Sequence, residues 1–304
     1  VDYVFDTTLS ADLTVMEEAQ EFMGRLEKGG PFPMFTSCCP AWVRYVEERR
    51  RHLLPNVSTC KSPMEMFGAL LKEHYKAMKE VDGKDTVVVA IMPCTAKKSE
   101  AAREEFQQDG VYDVDYVLTT QEISTMIQEN GIVFRELENE SPDMPFGMGS
   151  GAGVIFGATG GVAEAVIRRC VEEKSSSVLQ EIEYCGVRGM EAVKEARVSL
   201  GDRELKIAVV NGLKNAQDLL DKIEAGEAYY DLVEVMACQG GCIGGAGQPF
   251  GLRDKKLKRA SGLYEADRVS LFKCSEENPA IVSLYNGILG KKHHELLHVD
   301  YCKK

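Results

Sequence analysis

The stretch YDLVEVMACQGGCIGGAGQP, residues 230–249, joins a run of apolar and β-branched residues to a glycine-rich loop. Its first residues predict a β-strand. The two glycines between Cys238 and Cys242 allow the backbone to turn tightly and to approach a bulky ligand. The C-x3-C spacing is not specific, since two ordinary buried thiols beside a turn would show it as well. The stretch therefore predicts a strand that ends at a loop with room for a ligand.

Two further predicted strands also end at cysteines. FPMFTSCC (32–39) reads as a short strand that runs into Cys38 and Cys39, and TVVVAIMPC (86–94) reads as a buried strand that ends at Cys94. Ligands of parallel α/β sheets bind at the carboxyl ends of the strands. Three strands could therefore deliver their cysteines to one place.

Helical stretches alternate with these strands, which favours an α/β fold. Two more strands are predicted at 113–120 and 205–213, and 136–150 reads as a surface loop. The predicted helices cover residues 13–29, 41–54, 65–80, 121–130, 161–173, 215–226 and 278–290.

The length and charge of the chain limit its function class. With 304 residues, two packed lobes or one large α/β domain are the natural interpretations. The net charge of −12 argues against nucleic acid as the main partner, because phosphate binding needs a basic surface. No apolar run approaches the roughly 20 residues that cross a bilayer. The chain starts without Met or a signal-like stretch, as a processed, truncated or split protein would. A cytoplasmic location is expected, with a periplasmic or organellar one left open.

Ten cysteines are more than a chain of this size usually carries. A long α/β chain does not need disulfides to hold its core, so metal binding or redox chemistry is the leading explanation for some of them. Those without ligand-like spacing are interpreted as small buried thiols, namely Cys60, Cys170, Cys185, Cys274 and Cys302. Three histidines near the C-terminus are interpreted as surface and core residues rather than a metal site, namely His293, His294 and His298.

Two local features fit a thiolate site. Adjacent cysteines such as Cys38 and Cys39 rarely pair with each other, because the ring is strained, so one thiol can bind a metal while its neighbour carries a proton. Lys97 follows Cys94 and would favour a nearby thiolate, although a solvated lysine in a first helical turn would look the same.

One face of the first predicted helix is charged. Glu18, Glu21 and Arg25 lie at positions i, i+3 and i+7, which places them on one side of the helix. Such a face is usually solvated, and an exposed Glu21–Arg25 pair is worth about 0.3–0.5 kcal/mol. The spacing alone does not distinguish that arrangement from a path for protons.

Three motifs together resemble the signature segments of the iron-iron (FeFe) hydrogenases, in the same order and at plausible separations. They are TSCCPAW (36–42), MPCTAKKSE (92–100) and EVMACQGGCIGGAGQP (234–249). The similarity covers most of the chain, because it also runs through 5–19, 30–37, 150–162 and 294–301.

The resemblance implies a two-lobed α/β fold, each lobe a mainly parallel sheet flanked by helices, with the cofactor in the cleft between the lobes. That cofactor, the H-cluster, is a four-iron four-sulfur cubane joined to a two-iron subsite with CO, cyanide and azadithiolate ligands. By position the cluster ligands would be Cys39, Cys94, Cys238 and Cys242, with Cys242 bridging the two parts. The implied reaction is the reversible conversion of two protons and two electrons into dihydrogen.

The resemblance also assigns roles around the cluster. Lys97 would donate a hydrogen bond to a cyanide, and the residues that line the cofactor would be Met92, Met236, Phe156, Ser62 and Pro63. A relay would carry protons between solvent and the two-iron subsite. Its members would be Cys38, Glu18, Ser58, Glu21 and Arg25.

The chain departs from the family pattern in three respects. It lacks the cysteine runs of accessory iron–sulfur domains, so residues 1–304 are expected to form a single H-cluster domain that receives electrons from a ferredoxin-like carrier or a partner subunit. The family's domain usually begins about 50 residues earlier, which implies a truncated chain or a second chain that supplies the segment. Ala246 replaces a usual glycine, which would cost on the order of 1 kcal/mol if that position needs φ > 0.

Two alternatives share the fold. A non-catalytic hydrogenase-like protein of iron–sulfur assembly would have no use for Met92, Lys97 and Met236. A slow hydrogen-sensing domain would not need Cys38 and the relay glutamates. These residues favour an enzyme whose two-iron subsite is built by maturation proteins.

Overall fold

The computed structural model describes residues 1–77, 86–171, 175–251 and 253–303. Helices and short strands alternate, as the sequence predicts. The α-helices are α1 (Thr8–Lys28), α2 (Pro40–Arg49), α3 (Pro63–Ala77), α4 (Ala96–Ala101), α5 (Thr120–Glu129), α6 (Gly151–Ile155), α7 (Gly161–Cys170), α8 (Ser176–Tyr184), α9 (Leu213–Glu224), α10 (Arg253–Val269), α11 (Pro279–Asn286) and α12 (His293–Leu297).

The strands form one larger sheet and two pairs. They are β1 (Met34–Phe35), β2 (Val89–Met92), β3 (Gln107–Gln108), β4 (Val111–Tyr112), β5 (Tyr116–Thr119), β6 (Val193–Leu200), β7 (Arg203–Asn211) and β8 (Leu232–Met236). The larger sheet has the order β1-β8-β7-β6, in which β8 is parallel to both neighbours and β6 is antiparallel to β7. Strands β2 and β5 pair in parallel, and β3 and β4 form a small antiparallel pair.

The larger sheet is covered on both faces. Ile207 and Leu232 point into a core built with α1 and α7, whereas Ala208 and Val233 point into a core built with α2 and α9. This alternation is the period of two that a strand imposes on its side chains. All five residues of β8 are buried, which makes it the central strand that carries the 238–242 loop.

The β2–β5 pair is less covered than the sequence suggests. The apolar run at 86–94 predicts a buried strand, but Val89 and Ile91 are each 51% exposed. Only the opposite face packs, where Met92 and Val117 meet Met64. The prediction of a fully buried strand is wrong, because this two-stranded sheet has a core on one face only.

Several predicted boundaries shift. The helix predicted to reach residue 54 ends at Arg49 and is followed by a 3-10 helix at Arg51–Asn56 that contains Pro55. The helix predicted to reach residue 290 ends before Gly287. The last residues of two other predicted helices, 78–80 and 172–173, lie outside the described residues.

Strand β6 was missed by the sequence analysis, whereas its hairpin partner β7 overlaps the strand predicted at 205–213. Burial alternates along β6, and in the sequence Ala196, Val198 and Leu200 repeat with the same period of two. The strand also begins with an exposed Val193 and a buried Lys194, which weakens that signal. The stretch 136–150 has no strand or α-helix, as expected of a loop, although Phe146 within it is buried. Among the described helices, none is both long and apolar enough to cross a bilayer.

Candidate metal centre

Four thiols converge at the carboxyl ends of strands from two sheets. Cys39 follows β1, Cys94 follows β2, and Cys238 and Cys242 lie in the loop after β8. Each of the six possible pairs among the four is close enough for electrostatic interaction. The backbone N–H of Ala237 also donates to Cys39 Sγ at 3.4 Å. The predicted meeting of three strand ends is therefore what the structure shows.

Burial makes these thiols poor acids on their own. It raises the pKa of Cys39 to about 11 and that of Cys242 to about 12, and the neighbouring thiols add to the effect. Burial likewise raises the pKa of Cys238. Thiolates so placed need a cation, and a bound metal supplies it because coordination deprotonates the thiol. The donor set thus fits a thiolate-bound iron–sulfur group.

Glycines allow the two cysteine loops to touch. The N–H of Gly247 donates to the carbonyl of Pro93 at 3.0 Å, which ties the loop after β8 to the loop that carries Cys94. A Cβ on Gly245 would lie 2.1 Å from the same carbonyl oxygen, which no side chain tolerates. Ala246 is not strained, because among the described non-glycine residues only Asp109 has a positive φ. The strain expected at Ala246 is absent for that reason.

Lys97 lies beside the cysteines as part of a buried ion pair. Its Nζ donates to Glu100 Oε2 at 2.6 Å and to the carbonyl of Cys38 at 3.3 Å. Burial lowers the pKa of Lys97, but the Glu100 carboxylate outweighs that effect and the net direction is upward. Ser62 Oγ donates to the same Glu100 oxygen at 3.0 Å. Lys97 is therefore a buried, fixed cation and not a solvated lysine in a first helical turn, which was the alternative left open by the sequence.

The expected lining residues fall into two groups. Met236 and Phe156 share one buried apolar cluster with Cys38, in the lobe of the larger sheet. Met92 packs instead with Met64 beside the β2–β5 pair. Ser62 is fully buried, and Pro63 begins α3 next to it. The candidate lining thus comes from both sides of the four-cysteine site.

The charged face of α1 is buried and not solvated. Glu21 Oε2 accepts from Ser58 Oγ at 3.1 Å and from Thr59 N at 2.9 Å. Arg25 donates to Glu21 Oε1 at 3.1 Å and also binds the carbonyls of Asn56 and Val57 at 2.9 and 3.0 Å. The guanidinium therefore fixes the outer carboxylate to the end of the 3-10 helix.

Glu18 differs from its neighbours because it is buried without a partner. It is fully inaccessible, and neither carboxylate oxygen has a hydrogen-bond partner among the described residues. Burial and the charge of Glu21 raise the pKa of Glu18 to about 8, while Ser58 and Ser37, near but outside hydrogen-bond geometry, oppose the rise. At neutral pH this carboxyl holds a proton but can release it.

Glu18 lies between Glu21 and the thiols. Burial raises the pKa of Cys38 well above its usual value, and the charges of Glu18 and Cys39 add to that rise. Cys38 is therefore a neutral thiol in the absence of other charges. From Cys38 through Glu18 and Ser58 to Glu21 and Arg25, each group is within electrostatic or hydrogen-bond reach of the next.

Sequence reasoning missed three polar residues at the site. Glu100 pairs with Lys97 at spacing i, i+3, a signal that was available in the sequence. Glu65 is fully buried, and burial with the nearby Glu100 charge raises its pKa to about 9. Thr59 binds Glu21 through its side chain as well as its backbone. Nothing in the sequence marks the last two.

The remaining cysteines match in part the prediction that they are small buried thiols. All ten cysteines lie in the described part of the chain and none forms a disulfide. Cys60, Cys170 and Cys274 are buried thiols, but Cys185 is half-buried and Cys302 is exposed.

Comparison with known proteins agrees with this geometry. A family model described as the iron only hydrogenase large subunit, C-terminal domain, matches residues 1–246. The NADP-reducing hydrogenase subunit HndD of Solidesulfovibrio fructosivorans is 45% identical over 100% of this chain and 54% of its own length. The chain belongs to the iron-iron hydrogenase family. The family's cofactor is the H-cluster, a 4Fe–4S cluster joined to a two-iron subsite with CO and cyanide ligands.

A further curated relative and a solved structure agree with this family assignment. Iron hydrogenase 1 of Clostridium pasteurianum is 43% identical over 99% of the chain and 54% of its own length. The structure of a variant of [FeFe]-hydrogenase HydA1 from Chlamydomonas reinhardtii superposes with a TM-score of 0.84 at 40% identity, over 99% of this chain and 84% of that one. The expected α/β hydrogenase fold is thereby confirmed.

Two features define the extent of the similarity. The chain spans about half the length of the curated relatives it matches first. A second family model, the iron hydrogenase small subunit, matches residues 253–304. One polypeptide therefore matches both the large-subunit and the small-subunit family model.

Proposed function

We propose that this chain catalyses the reversible conversion of two protons and two electrons into dihydrogen. The observation that carries the proposal is the buried line from Cys38 through Glu18 to Glu21, which ends at the four-cysteine site. A protein that only holds an iron–sulfur cluster has no need of a buried carboxyl that exchanges a proton near neutral pH. Proton delivery to a metal centre does need one.

The cluster would be held by four cysteines from three strand ends, namely Cys39, Cys94, Cys238 and Cys242. When bound, the H-cluster supplies the redox chemistry, and the protein supplies binding, orientation and protons. Lys97, fixed by Glu100, would donate to a cyanide ligand. The walls would be Met92, Met236, Phe156, Ser62 and Pro63, which keep water away from the site.

The proton path divides into three parts with different tasks. Glu21 is the outer carboxylate of the path, because Arg25 and three neutral donors hold it in a fixed position. Glu18 stores one proton, since burial raises its pKa to about 8. Cys38 presents a proton at the site as a thiol that burial keeps neutral. Ser58 donates to Glu21 and lies close to Glu18, which suits it to bridge the two carboxyls.

Electrons would come from a ferredoxin-like carrier or a partner subunit, and maturation proteins would build the two-iron subsite. The assembly and sensing alternatives gain no support from the geometry, because neither accounts for the partnerless Glu18.

The test is infrared spectroscopy of the anaerobic, matured chain, followed by a hydrogen assay. The expected result is a set of sharp CO and cyanide bands that is absent from Cys242→Ala. Cys302→Ser, at an exposed cysteine outside the four-cysteine site, is the control and should retain the bands. Hydrogen evolution should follow the bands. A chain with a loaded cubane and completed maturation but without CO and cyanide bands would contradict the proposal.

A further inference from the structure

A second polar network joins the outer carboxylate of the proposed relay. Thr59 Oγ1 lies 3.0 Å from Glu21 Oε2 and 2.7 Å from His298 Nδ1. A single hydroxyl therefore connects the Glu21 carboxylate to an imidazole ring. His298 is only 8% exposed in its side chain, so the contact is largely shielded from solvent.

Backbone pairing fixes the position of the ring. The segment at Thr59–Lys61 pairs with the segment at Leu297–Val299 through the bonds Val299 N to Thr59 O at 2.7 Å and Lys61 N to Leu297 O at 2.9 Å. Cys60 and His298 form the bridge at the centre of this pairing. The contact between Thr59 and the ring thus rests on main-chain bonds and not on a flexible side chain.

The other ring nitrogen faces a second buried carboxylate. His298 Nε2 lies 2.9 Å from Glu17 Oε2, and His293 Nδ1 lies 3.2 Å from the same oxygen. Tyr285 donates to Glu17 Oε1. Burial alone would raise the pKa of Glu17, but the hydrogen bonds from His298 and Tyr285 outweigh it and the net direction is downward. An ionised carboxylate only accepts, so His298 Nε2 carries a hydrogen.

The ring position that can gain or lose a hydrogen is then Nδ1, the nitrogen that faces Thr59. When Nδ1 carries a hydrogen it donates to Thr59 Oγ1, and the threonine hydrogen points to Glu21. When Nδ1 is bare, the hydroxyl donates to it, and Glu21 loses one of its donors. The charge of His298 therefore decides how many hydrogen bonds Glu21 receives.

We propose that His298 is a proton store for the relay, connected to Glu21 by the hydroxyl of Thr59. The step moves one proton and no electrons. Nδ1–H passes its proton to Thr59 Oγ1, which passes its own to Glu21 Oε2. Imidazolium and carboxylate become neutral imidazole and carboxylic acid, and the reverse step restores them. This inference rests on the proposed function, since a store is useful only to a chain that moves protons.

Charged and titratable groups surround the ring from several elements. Glu17 and Glu21 come from α1, Tyr285 from α11, and His293 from α12. The ring of His294 stacks on that of His298 with centroids 4.4 Å apart. Cys60 is a neutral neighbour, because burial raises its pKa well above the usual value. Among the described groups, Glu17 and Glu21 favour a positive charge on His298, whereas the other two histidines and Arg25, which is paired with Glu21, oppose it.

The store lies where the two family segments of the chain meet. Glu17, Glu21 and Thr59 belong to the large-subunit match, and His298 belongs to the small-subunit match. The small-subunit segment would therefore contribute a proton-holding group to the relay as well as structure.

Nitrogen-15 NMR of histidine-labelled full chain, with its cluster assembled, tests the coupling without relying on turnover. The expected result is a hydrogen on His298 Nε2 at every pH and a titration confined to Nδ1. In Glu21→Gln and in Thr59→Val that titration should move to lower pH, because the carboxylate or the connecting hydroxyl is lost, and Thr59→Ser should restore it. A neutral form with its hydrogen on Nδ1, or a titration unchanged in both variants, would overturn the proposal.

The pH dependence of hydrogen evolution tests whether the store is used. Thr59→Val should lower the rate about threefold to tenfold at pH values where His298 is charged, less than the loss of a direct relay member, and Thr59→Ser should recover it. His52→Gln, at an exposed imidazole that pairs with Glu224, is the control. A Thr59→Val variant that evolves hydrogen at the wild-type rate at every pH would overturn the proposal that His298 stores a proton for the relay. If the wild type holds its cofactor but does not turn over, the proposed function is overturned. The coupling of His298 to Glu21 would still stand if the NMR titration shows it.

Discussion

Helix α1 buries three carboxylates, and two of them, Asp12 and Glu18, lie six residues apart in opposite surroundings. Asp12 accepts from Ser150 N at 2.7 Å, Ser150 Oγ at 2.6 Å, Ser275 Oγ at 2.8 Å and Asn278 Nδ2 at 3.1 Å. Glu18 accepts from no described residue. The first carboxylate ties α1 to the N-cap of α6 and to the segment before α11. The second connects α1 to no other described element by a hydrogen bond.

The difference separates a structural carboxylate from a functional one. Burial raises the pKa of both, but in Asp12 four hydrogen bonds oppose the rise, whereas burial and Glu21 take Glu18 to about 8. A buried carboxyl without partners lowers stability, typically by about 1–3 kcal/mol. A group of that kind inside an otherwise satisfied helix marks a position where function, and not folding, selects the residue.

The largest expected effect is on turnover. Glu18→Gln should lower hydrogen evolution by about 100-fold to 10,000-fold, because an amide of the same shape cannot exchange a proton. The assay is hydrogen evolution per loaded cofactor, with the CO bands as the measure of loading. Asp12→Asn is the control, and its rate per loaded cofactor should stay within about threefold of the wild type. Equal losses in the two variants would remove the distinction between the carboxylates.

The second largest expected effect is on stability, where Asp12→Asn should lose more than Glu18→Gln. Asp12→Asn should lower the free energy of unfolding by about 2–4 kcal/mol. The reason is that the new amide N–H₂ group faces hydrogen-bond donors, whereas the carboxylate accepted hydrogen bonds from them. The midpoint of urea unfolding of the full chain measures this loss. Glu18→Gln should show no loss near pH 8, since it replaces a charge that lacks partners. If the glutamine variant were the less stable of the two, Glu18 would have to be a structural residue.

The smallest effect is a pH dependence of stability. The pKa of Glu18 rises from 4.5 to about 8 on folding, so the folded state binds its proton more tightly. The resulting stabilisation is present below pH 4.5 and is lost as the pH rises to about 8, by a few kcal/mol in all. The unfolding free energy of the wild type should therefore fall relative to Glu18→Gln across this window. Parallel stability curves for the two proteins between about pH 5 and pH 8 would contradict the assignment.

The sequence predicted the sulfur end of the site better than the carboxylate end. Cys39, Cys94 and Cys238 could be placed together because parallel strands deliver their carboxyl ends to one edge. The spacing of Glu18 and Glu21 suits a solvated face as well as a buried one, since helical periodicity reports which residues share a face but not what covers it.

Long-range contacts account for what the sequence could not show. The partners of Asp12 lie 138 to 266 residues away, and no local pattern announces them. The same limit applies to β2, where an apolar run predicted burial but Val89 and Ile91 are half exposed. A residue's burial depends on the element packed against it, and that element can come from any part of the chain.

The most direct measurement is the protonation state of Glu18 itself. Infrared difference spectra of the wild type minus Glu18→Gln, recorded through a pH titration, isolate the carboxylic acid C=O band of this one side chain. The account predicts a protonated band at neutral pH that disappears with a midpoint near 8 and that Asp12→Asn retains. A difference spectrum with no carboxylic acid band at neutral pH would show that Glu18 is ionised, and it would contradict the claim that this buried carboxyl stores the proton.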